Sequence, residues 1–328
     1  MARGRLTVWF GFLGVAFTAP VAAQTGTTPP APHPCDSQSG RTKLVCRAAY
    51  DAIEVMIPAA GLAASGGNPS LSGPGGGHRF GDLAISLRVT YLSVPLPNTF
   101  YDGSTDTVGL AKRFAFAVPS LDIRFGILSK KLPMGTVSAD LLGNVLAMPK
   151  SETNFLRYGP EVRSVGGAAI GFGYGLRIAF APTPPLPTAS LNISKHDLPT
   201  FTYGDVGAGG NYGYTLSVSA INVRLLAGKR FGLFELTGGA GVDLLTGNYS
   251  VTYRDLTTGQ PSVRADSSQS TMRILVLTNG ALLLGKIARL TVEGGFQIGK
   301  DDKLPTIFAA NDTRAGRFFG GVGLGFKL

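Results

Sequence analysis

The sequence predicts an all-β chain that folds as a transmembrane, antiparallel, up-and-down β-barrel of about ten strands, preceded by a short helical segment. Three observations predict this fold class: one strand with two very different faces, a composition rich in glycine, and the want of a long apolar run. Strand boundaries read from a sequence shift easily, so barrels of twelve or fourteen strands also fit the pattern.

The clearest strand covers residues 168–180, where large apolar residues alternate with small or charged ones. Phe172, Tyr174 and Leu176 share one face, whereas the other face carries glycines and Arg177. A period of two predicts a strand because successive side chains leave opposite faces of the pleat. Bulky apolar residues on one face and small or polar residues on the other are typical of a strand that crosses a membrane in a barrel.

The composition agrees with this fold class. Of 328 residues, 46 are Gly and 21 are Pro, which fits many turns and close strand crossings better than helices. No apolar run approaches the ~18 residues of a membrane-spanning helix. Such a chain can enter a membrane only as a closed barrel, because only a barrel satisfies every backbone group without helices.

Residues 1–23 are predicted to be a secretory signal peptide. Arg3 and Arg5 precede an apolar core at 6–17, and small residues at 21–23 form the cleavage site. Loss of these two arginines lowers the formal net charge from +10 to +8. The next segment, 24–77, is predicted either to plug the barrel lumen or to lie in the periplasm, and the sequence leaves both places open.

The two cysteines of the chain, Cys35 and Cys46, predict one disulfide because an exported protein meets an oxidising compartment. Closing so short a loop contributes about 3 kcal/mol. Two free thiols are the alternative, whereas the spacing and the want of a nearby histidine exclude a CxxC-type zinc or redox site. Between about 42 and 57 the apolar spacing predicts a short amphipathic helix that ends at Pro58.

Residues 78–328 are predicted to form the barrel. The ten predicted strands lie at about 79–93, 111–127, 135–147, 168–180, 188–203, 212–227, 234–244, 271–284, 289–298 and 316–328. The apolar phase slips by one at Pro119-Ser120, which predicts a β-bulge, and slips again before Ile221. Residues 247–270 are predicted to extend a hairpin beyond the bilayer.

Short and long connections alternate along this barrel. The short ones lie near Lys131, Pro184, Lys229 and Lys286, and five longer ones separate them. Outer-membrane barrels have short periplasmic turns and long outer loops. An even strand count then places both chain ends on the periplasmic side.

The last strand carries apolar residues at every second position, with Phe318, Val322, Leu324 and Phe326 before the final Leu328. This ending resembles the terminal strand of bacterial outer-membrane proteins, although those strands usually end in phenylalanine. The resemblance implies an outer-membrane location reached through the periplasm, and recognition of this strand by the barrel-assembly machinery. The segment ahead of the first strand is also similar in arrangement to porin-like fatty-acid transporters of the FadL type, which have more strands.

Charged residues are predicted to line the lumen, namely Arg88, Asp122, Arg124, Arg177, Glu235, Asp243, Arg289, Glu293 and Arg317. One interpretation is a charged constriction that selects solutes. The other is a network of paired charges that fills a narrow barrel, because buried charges need partners.

The sequence favours no catalytic function. Ser194, His196 and Asp197 lie close together, but a period of two places Asp197 on the opposite face from the other two. The prediction therefore includes no enzyme, no cofactor and no metal site. The predicted partners are outer-membrane lipid, lipopolysaccharide and a small-molecule solute, and nucleic acid is not one of them. Lipopolysaccharide is included because its phosphates suit the basic charge balance of the chain.

The predicted function is narrow, gated passage of a small or hydrophobic solute. Gly171, Gly173 and Gly175 favour it because they leave space on the inward face where a sealed barrel would place bulk. The alternative is a structural or adhesive barrel with a closed lumen and functional outer loops. An outer-membrane enzyme is the least favoured class.

Overall fold

The computed structural model describes residues 33–68, 79–149, 156–158, 164–165, 168–263, 266–285, 287–299, 307–308 and 316–328. For residues 112–116, 149, 156–158 and 164–165 it describes the backbone alone. The predicted signal peptide lies outside the described residues. The chain divides into two units, Met1–Pro34 and Cys35–Leu328, and the helix and all strands belong to the second.

One helix precedes a single sheet. The helix is α1, Gly40–Ser65. The long strands are β1 Leu83–Pro97, β2 Leu110–Leu132, β3 Gly135–Pro149, β6 Ala168–Pro182, β7 Thr188–Asp197, β9 Tyr212–Phe231, β10 Phe234–Arg254, β12 Ser267–Leu284, β13 Ala288–Gly299 and β14 Arg317–Lys327. The short strands are β4 Leu156–Tyr158, β5 Ser164–Val165, β8 Phe201–Tyr203 and β11 Pro261–Val263.

The ten long strands form a closed antiparallel barrel. Each pairs with the long strand before it and the one after it, and β14 pairs with β1 to close the ring, with Val322 opposite Val89. The short turns 133–134, 183–187, 232–233 and 285–287 lie at one end, here called the turn end. The longer connections lie at the other end, here called the loop end. The predicted strand number and fold class are confirmed.

The outer face of the barrel is apolar, as the alternation predicts. On β6 the side chains of Phe172 and Tyr174 are 48% and 64% exposed, whereas that of Arg177 on the other face is 1% exposed. Within the described part of the chain, no helix is long and apolar enough to cross a membrane.

Helix α1 lies inside the barrel and runs from the loop end to the middle of the lumen. Near its start, the backbone N–H of Leu256 in a loop-end connection donates to the hydroxyl of Thr42 at 3.1 Å. Tyr50 follows Cys46 by one turn and lies further into the lumen. Its ring packs edge-on against the ring of Tyr249, with the ring centroids 6.0 Å apart. Of the two places that the sequence allows for this segment, the helical part therefore occupies the lumen.

The predicted end of the helix at Pro58 is wrong, because α1 continues to Ser65. Proline removes one N–H donor from the helix. Burial outweighs that loss, since both Ile57 and Leu62, on either side of the proline, are at most 1% exposed. The helix ends instead at Gly66, whose positive φ of 58° suits glycine and whose N–H donates to the carbonyl of Leu62 at 2.9 Å.

The predicted bulge at Pro119-Ser120 is also wrong. The pairing of β1 with β2 continues through Pro119, and the irregularities of β2 lie between Leu110 and Lys112 and between Gly126 and Leu128. Val118 faces inward and is 1% exposed, whereas Ile123 faces outward and is 37% exposed. The apolar face changes because the inward side of the strand packs on α1 at the loop end and carries polar residues further down.

Strand β9 shows the same exchange of faces without any break in its pairing with β10. Leu216 and Val218 point inward to α1, and Ile221 and Leu225 point outward. Two predicted boundaries also change. The predicted strand 188–203 divides into β7 and β8, with Pro199 between them, and β10 extends to Arg254 as part of the projecting hairpin.

Candidate functional site

The inner end of α1 is held by three strand side chains, which together form the plug clamp: Arg88, Arg224 and Glu293. The guanidinium of Arg88 donates to the carbonyl of Asn68 at 2.7 Å, and Nε of Arg224 donates to the carbonyl of Gly67 at 3.2 Å. Glu293 accepts from the backbone N–H of Asn68 at 3.1 Å. These carbonyls lie just beyond the end of α1, where positive charge is favourable because the C-terminal end of a helix carries partial negative charge, so the two arginines complement this end.

Glycines on the lumen wall make room for the clamp. A Cβ at Gly241 would lie 2.6 Å from Cδ of Arg224, and a Cβ at Gly321 would lie 2.9 Å from Oε1 of Glu293. Both distances are shorter than real Cβ contacts, so any larger residue would displace the charged side chain. These two glycines are therefore needed for close approach and not for backbone flexibility.

The charges of the clamp are paired although they are buried. Arg88 lies 3.4 Å from the carboxylate of Asp122 and 3.8 Å from that of Glu293. Arg224 pairs with Asp243, which also accepts from the amide of Asn222 at 2.5 Å. Arg88, Asp122, Arg224, Asp243 and Glu293 are each at most 5% exposed. A buried charge without its partner is strongly destabilising, so these pairs fix one another's positions.

A second group of inward charges lies closer to the turn end. Arg177 lies 3.9 Å from Asp140, and Arg289 donates to Glu235 at 3.1 Å. Arg124 faces the lumen in the same region. The two pairs, Arg177 with Asp140 and Arg289 with Glu235, share no residue with the plug clamp.

The structure places all the predicted lumen residues on the inward face of the barrel. Arg88 and Glu293 contact the inner end of α1, and Asp122 and Asp243 pair with clamp arginines. Arg317 donates to the carbonyl of Val55, further up the helix, at 3.0 Å. The remaining ones, Arg124, Arg177, Glu235 and Arg289, belong to the group near the turn end.

Sequence reasoning missed the central cation of the clamp, Arg224. Its signal was present, because Arg224 alternates with Val223 and Leu225 on β9 and must face the other way. Asp140 on β3 was also missed, although the alternation along that strand likewise places it on the inward face. By contrast, no pattern marks Gly67 and Asn68, which lie in a Gly/Ser/Pro-rich stretch of sequence.

The prediction that the glycines of β6 leave open space is wrong. A Cβ at Gly175 would lie 2.7 Å from Cβ of Ser194, and one at Gly171 would lie 2.9 Å from the side chain of Leu146. At Gly173 the same position would overlap the ring of His196. Side chains from the neighbouring strands occupy the space, so these glycines indicate close packing and not a channel.

Ser194 and His196 lie on the lumen wall, with the hydroxyl 3.2 Å from Nε2 of the ring. Asp197 faces outward, where its carboxylate lies 3.2 Å from the ammonium of Lys195, as the period of two predicts. Among the described residues there is no group of three His, Cys, Asp or Glu side chains placed to hold a metal ion.

The predicted disulfide is confirmed. Cys35 and Cys46 are bonded, with their Cα atoms 5.8 Å apart. The ammonium of Lys43 lies 3.0 Å from the carboxylate of Asp36 within the same loop. The first turns of α1 are thus fixed at the loop end, opposite to the plug clamp at the other end of the helix.

A closed antiparallel barrel that is apolar outside and packed with a helix and paired charges inside defines a class of protein. It is the class of bacterial outer-membrane β-barrels, as the ending of the sequence implies.

No protein-family model matches the sequence, and no curated protein is similar to it. The chain is similar to the outer-membrane protease OmpT from Escherichia coli, with 13% identity, 75% of this chain and 95% of that chain covered, and a TM-score of 0.36. The translocator domain of the autotransporter NalP from Neisseria meningitidis shares 12% identity, over 77% and 90% of the two chains, with a TM-score of 0.39. The toluene transporter TodX from Pseudomonas putida shares 12%, over 80% and 93%, with a TM-score of 0.30. Similarities of this size transfer no function to this chain.

Proposed function

We propose that the protein is a plugged outer-membrane barrel that admits a small or hydrophobic solute only when the plug clamp releases the inner end of α1. The observation that carries the proposal is the way this end is held. Arg88, Arg224 and Glu293 hold it by hydrogen bonds to the backbone of residues 67–68. Water or a polar solute can replace such bonds, whose net value is ~1.5–3 kcal/mol each because one partner is charged.

The rest of the plug is held differently and stays in place in this proposal. Ile53, Met56 and Leu62 are fully buried against the barrel wall, where water is a poor substitute for apolar neighbours. Passage therefore begins with a displacement of residues 66–68 and the last turn of α1. Expulsion of the whole helix is not required.

The second candidate is a structural or adhesive barrel whose lumen stays closed and whose loop end does the work. Two observations favour it. Helix α1 is buried like a protein core, and a cavity of about 310 Å³ opens at the loop end, where it is lined by residues that include Thr202, Asp205 and Thr215. The same lining includes Thr252 of the projecting hairpin.

Single-channel conductance in planar bilayers distinguishes the two candidates. Glu293→Gln removes the charge that pairs with Arg88 and weakens the bond to Asn68, so gated passage predicts longer or more frequent openings than in the wild type. Glu235→Gln is the matched control, because it also neutralises an inward carboxylate but touches only Arg289 among these charges. If wild type and both variants show no conductance and no solute uptake into liposomes, passage is wrong and the closed-lumen candidate replaces it.

We further propose that the protein resides in the outer membrane, surrounded by its lipid and in contact with lipopolysaccharide, and that the barrel-assembly machinery inserts it through β14. The outward Phe318, Val322 and Phe326 of that strand support this proposal. It assigns no catalytic step and no cofactor. Electrophoresis of outer-membrane fractions with and without boiling tests it, since a folded barrel migrates differently once unfolded. Release of the protein by carbonate, with no change in mobility, contradicts it.

A further inference from the structure

The turns at the turn end carry large apolar side chains at their tips. One such residue stands in each short turn: Met134 is 77% exposed, Leu186 is 64%, Leu233 is 59% and Ile287 is 66%. Turns that face water are usually built from Gly, Asn, Asp, Ser and Pro. Because the four turns are spaced around the barrel, the apolar tips form a ring.

Basic residues surround this ring. In the part of the chain that the structure describes, the exposed cations at the same end are Arg79, Lys130, Lys131, Lys229, Arg230 and Lys327. Asp82 is a nearby acidic residue, and it already pairs with Lys327 at 3.3 Å. Among the described residues, Lys130, Lys131 and Lys229 form no ion pair. The turn end is thus apolar at its tips and positively charged just behind them.

On β10 and β12 the lipid-facing apolar surface of the barrel continues to the turns, whereas on β2 and β9 the outward Lys130 and Lys229 interrupt it. Outward residues from Phe234 to Leu244 on β10 span roughly 26 Å along the barrel axis at ~3.4 Å per residue and a tilt of ~40°, close to the ~25 Å apolar band of outer-membrane barrels. Leu233 lies directly below that span. Phe231 and Leu284, the outward residues next to two of the turns, are 57% and 45% exposed.

We propose that the turn end lies in the headgroup layer of the inner leaflet and binds the phosphates of anionic phospholipids. The apolar tips lie among the headgroups, the outward apolar residues next to them reach the acyl chains, and the lysines and arginines extend to the phosphates. Each cation near an anionic lipid surface adds favourable energy, which favours phosphatidylglycerol or cardiolipin over a zwitterionic lipid. This inference rests on the proposed outer-membrane orientation with the turns facing the periplasm, but not on passage through the lumen.

Native mass spectrometry of the full-length protein from mixed vesicles of phosphatidylglycerol and phosphatidylcholine tests the preference. We expect about threefold or greater enrichment of phosphatidylglycerol among retained lipids. Replacement of Lys130, Lys131 and Lys229 by Gln should clearly lower the enrichment, although Arg79, Arg230 and Lys327 remain. Lys195→Gln is the control, because Lys195 is an outward cation far from the turns and already pairs with Asp197. Equal retention of both lipids by the wild type overturns the proposal.

A second measurement locates the turn tips without neutralising any charge. A fluorophore on Leu233→Cys should be quenched by lipids that carry a spin label near the headgroup, whereas one on Thr258→Cys at the loop end should be quenched by aqueous iodide. Quenching of the Leu233→Cys probe by iodide alone also overturns the proposal, and the ring then fits an acidic periplasmic protein better than a membrane. Neither outcome depends on conductance, so failure here leaves the proposed passage standing.

Discussion

The two halves of the lumen are built from the same strands but are filled in opposite ways. Toward the loop end, inward residues such as Leu92 and Leu216 are apolar and pack on α1. Toward the turn end, inward residues such as Asp122 and Arg224 are charged and pair with each other. The inner face of the barrel wall is therefore apolar at one level and charged at another, and the contents of the lumen at each level determine which kind of residue is found there.

The plug clamp lies where these halves meet. The charged side chains of the clamp bind only backbone groups of residues 67–68. The plug can therefore end in a polar network although its own side chains are apolar. The comparison predicts that substitutions in the two halves destabilise the protein for different reasons, and that outward neighbours on the same strands tolerate the same changes.

The largest effect is expected from the polar half. Arg224→Ala removes the partner of Asp243 and leaves a carboxylate buried without its cation, which should cost about 3–5 kcal/mol in the free energy of unfolding. Lys195→Ala breaks an exposed pair on the outer face and should cost at most about 1 kcal/mol. Reversible urea unfolding in lipid vesicles measures both. Equal losses in the two variants would show that the lumen charges are solvated and not buried.

The apolar half is tested by two adjacent leucines. Leu245 is 1% exposed and contacts α1 at Gly61, whereas Leu244 faces outward and is 46% exposed. Leu245→Ala opens a cavity against the plug and should cost about 2–5 kcal/mol, and Leu244→Ala should cost clearly less because lipid fills the space. The same urea titration compares them. A larger loss at position 244 would mean that α1 does not occupy this part of the lumen.

A smaller effect is expected where α1 enters the lumen. Replacing both Cys35 and Cys46 by Ser releases a short loop and should cost about 3 kcal/mol at most. The loss should appear as faster hydrogen exchange in the first turns of α1 while the barrel strands keep their protection. Thiol counting under denaturing, non-reducing conditions provides the control, since the wild type should show no free thiol. A uniform loss of protection over the barrel would contradict the separate anchoring of the two helix ends.

The smallest effect concerns pH at the loop end. Asp255 accepts the N–H of Thr257 at 2.8 Å and that of Thr258 at 3.4 Å, and these bonds, that of Thr257 first, hold the pKa of its carboxyl below the ordinary value of 3.8. Because the folded pKa is depressed, the contribution of this turn is present above the ordinary pKa and is lost as pH falls through the folded one. The amide resonance of Thr257 in an NMR titration should report that midpoint. A midpoint at or above the ordinary value contradicts the turn geometry, and Asp255→Ala should abolish the transition.

The sequence predicts the barrel strands of this protein better than it predicts the packing inside the lumen. Alternation along β6 and the ending at β14 suffice for the barrel, because lipid on one side imposes a simple pattern. The same alternation misleads at Val118 and Ile221, since it shows that two faces differ but not which face meets a distant helix. Gly173 misleads for a related reason, because the side chain that fills its space belongs to another strand.

The candidate site is predictable in part because lipid surrounds the barrel and restricts where charged residues can lie. Charges in the middle of membrane strands are costly on the lipid side, so Arg88 and Glu293 are identifiable from the sequence as inward residues. Their target is not, because Gly67 and Asn68 offer backbone groups, which every residue has. Only the end point of α1 inside the lumen brings them together with the clamp.

The central claim is that α1 fills the loop-end half of the lumen and ends at the plug clamp. Disulfide trapping in membrane fractions tests it most directly. A Cβ at Gly61 would lie 3.3 Å from Cγ of Leu245, which marks where the sulfur of a cysteine at position 245 would stand. The two cysteines would therefore be close enough to form a disulfide. The Gly61→Cys, Leu245→Cys pair should cross-link, with the linked peptides identified by mass spectrometry, whereas Gly61→Cys with the outward Leu244→Cys should not. If the second pair links as well as the first, or if neither links while the barrel is folded, α1 does not lie where the structure places it.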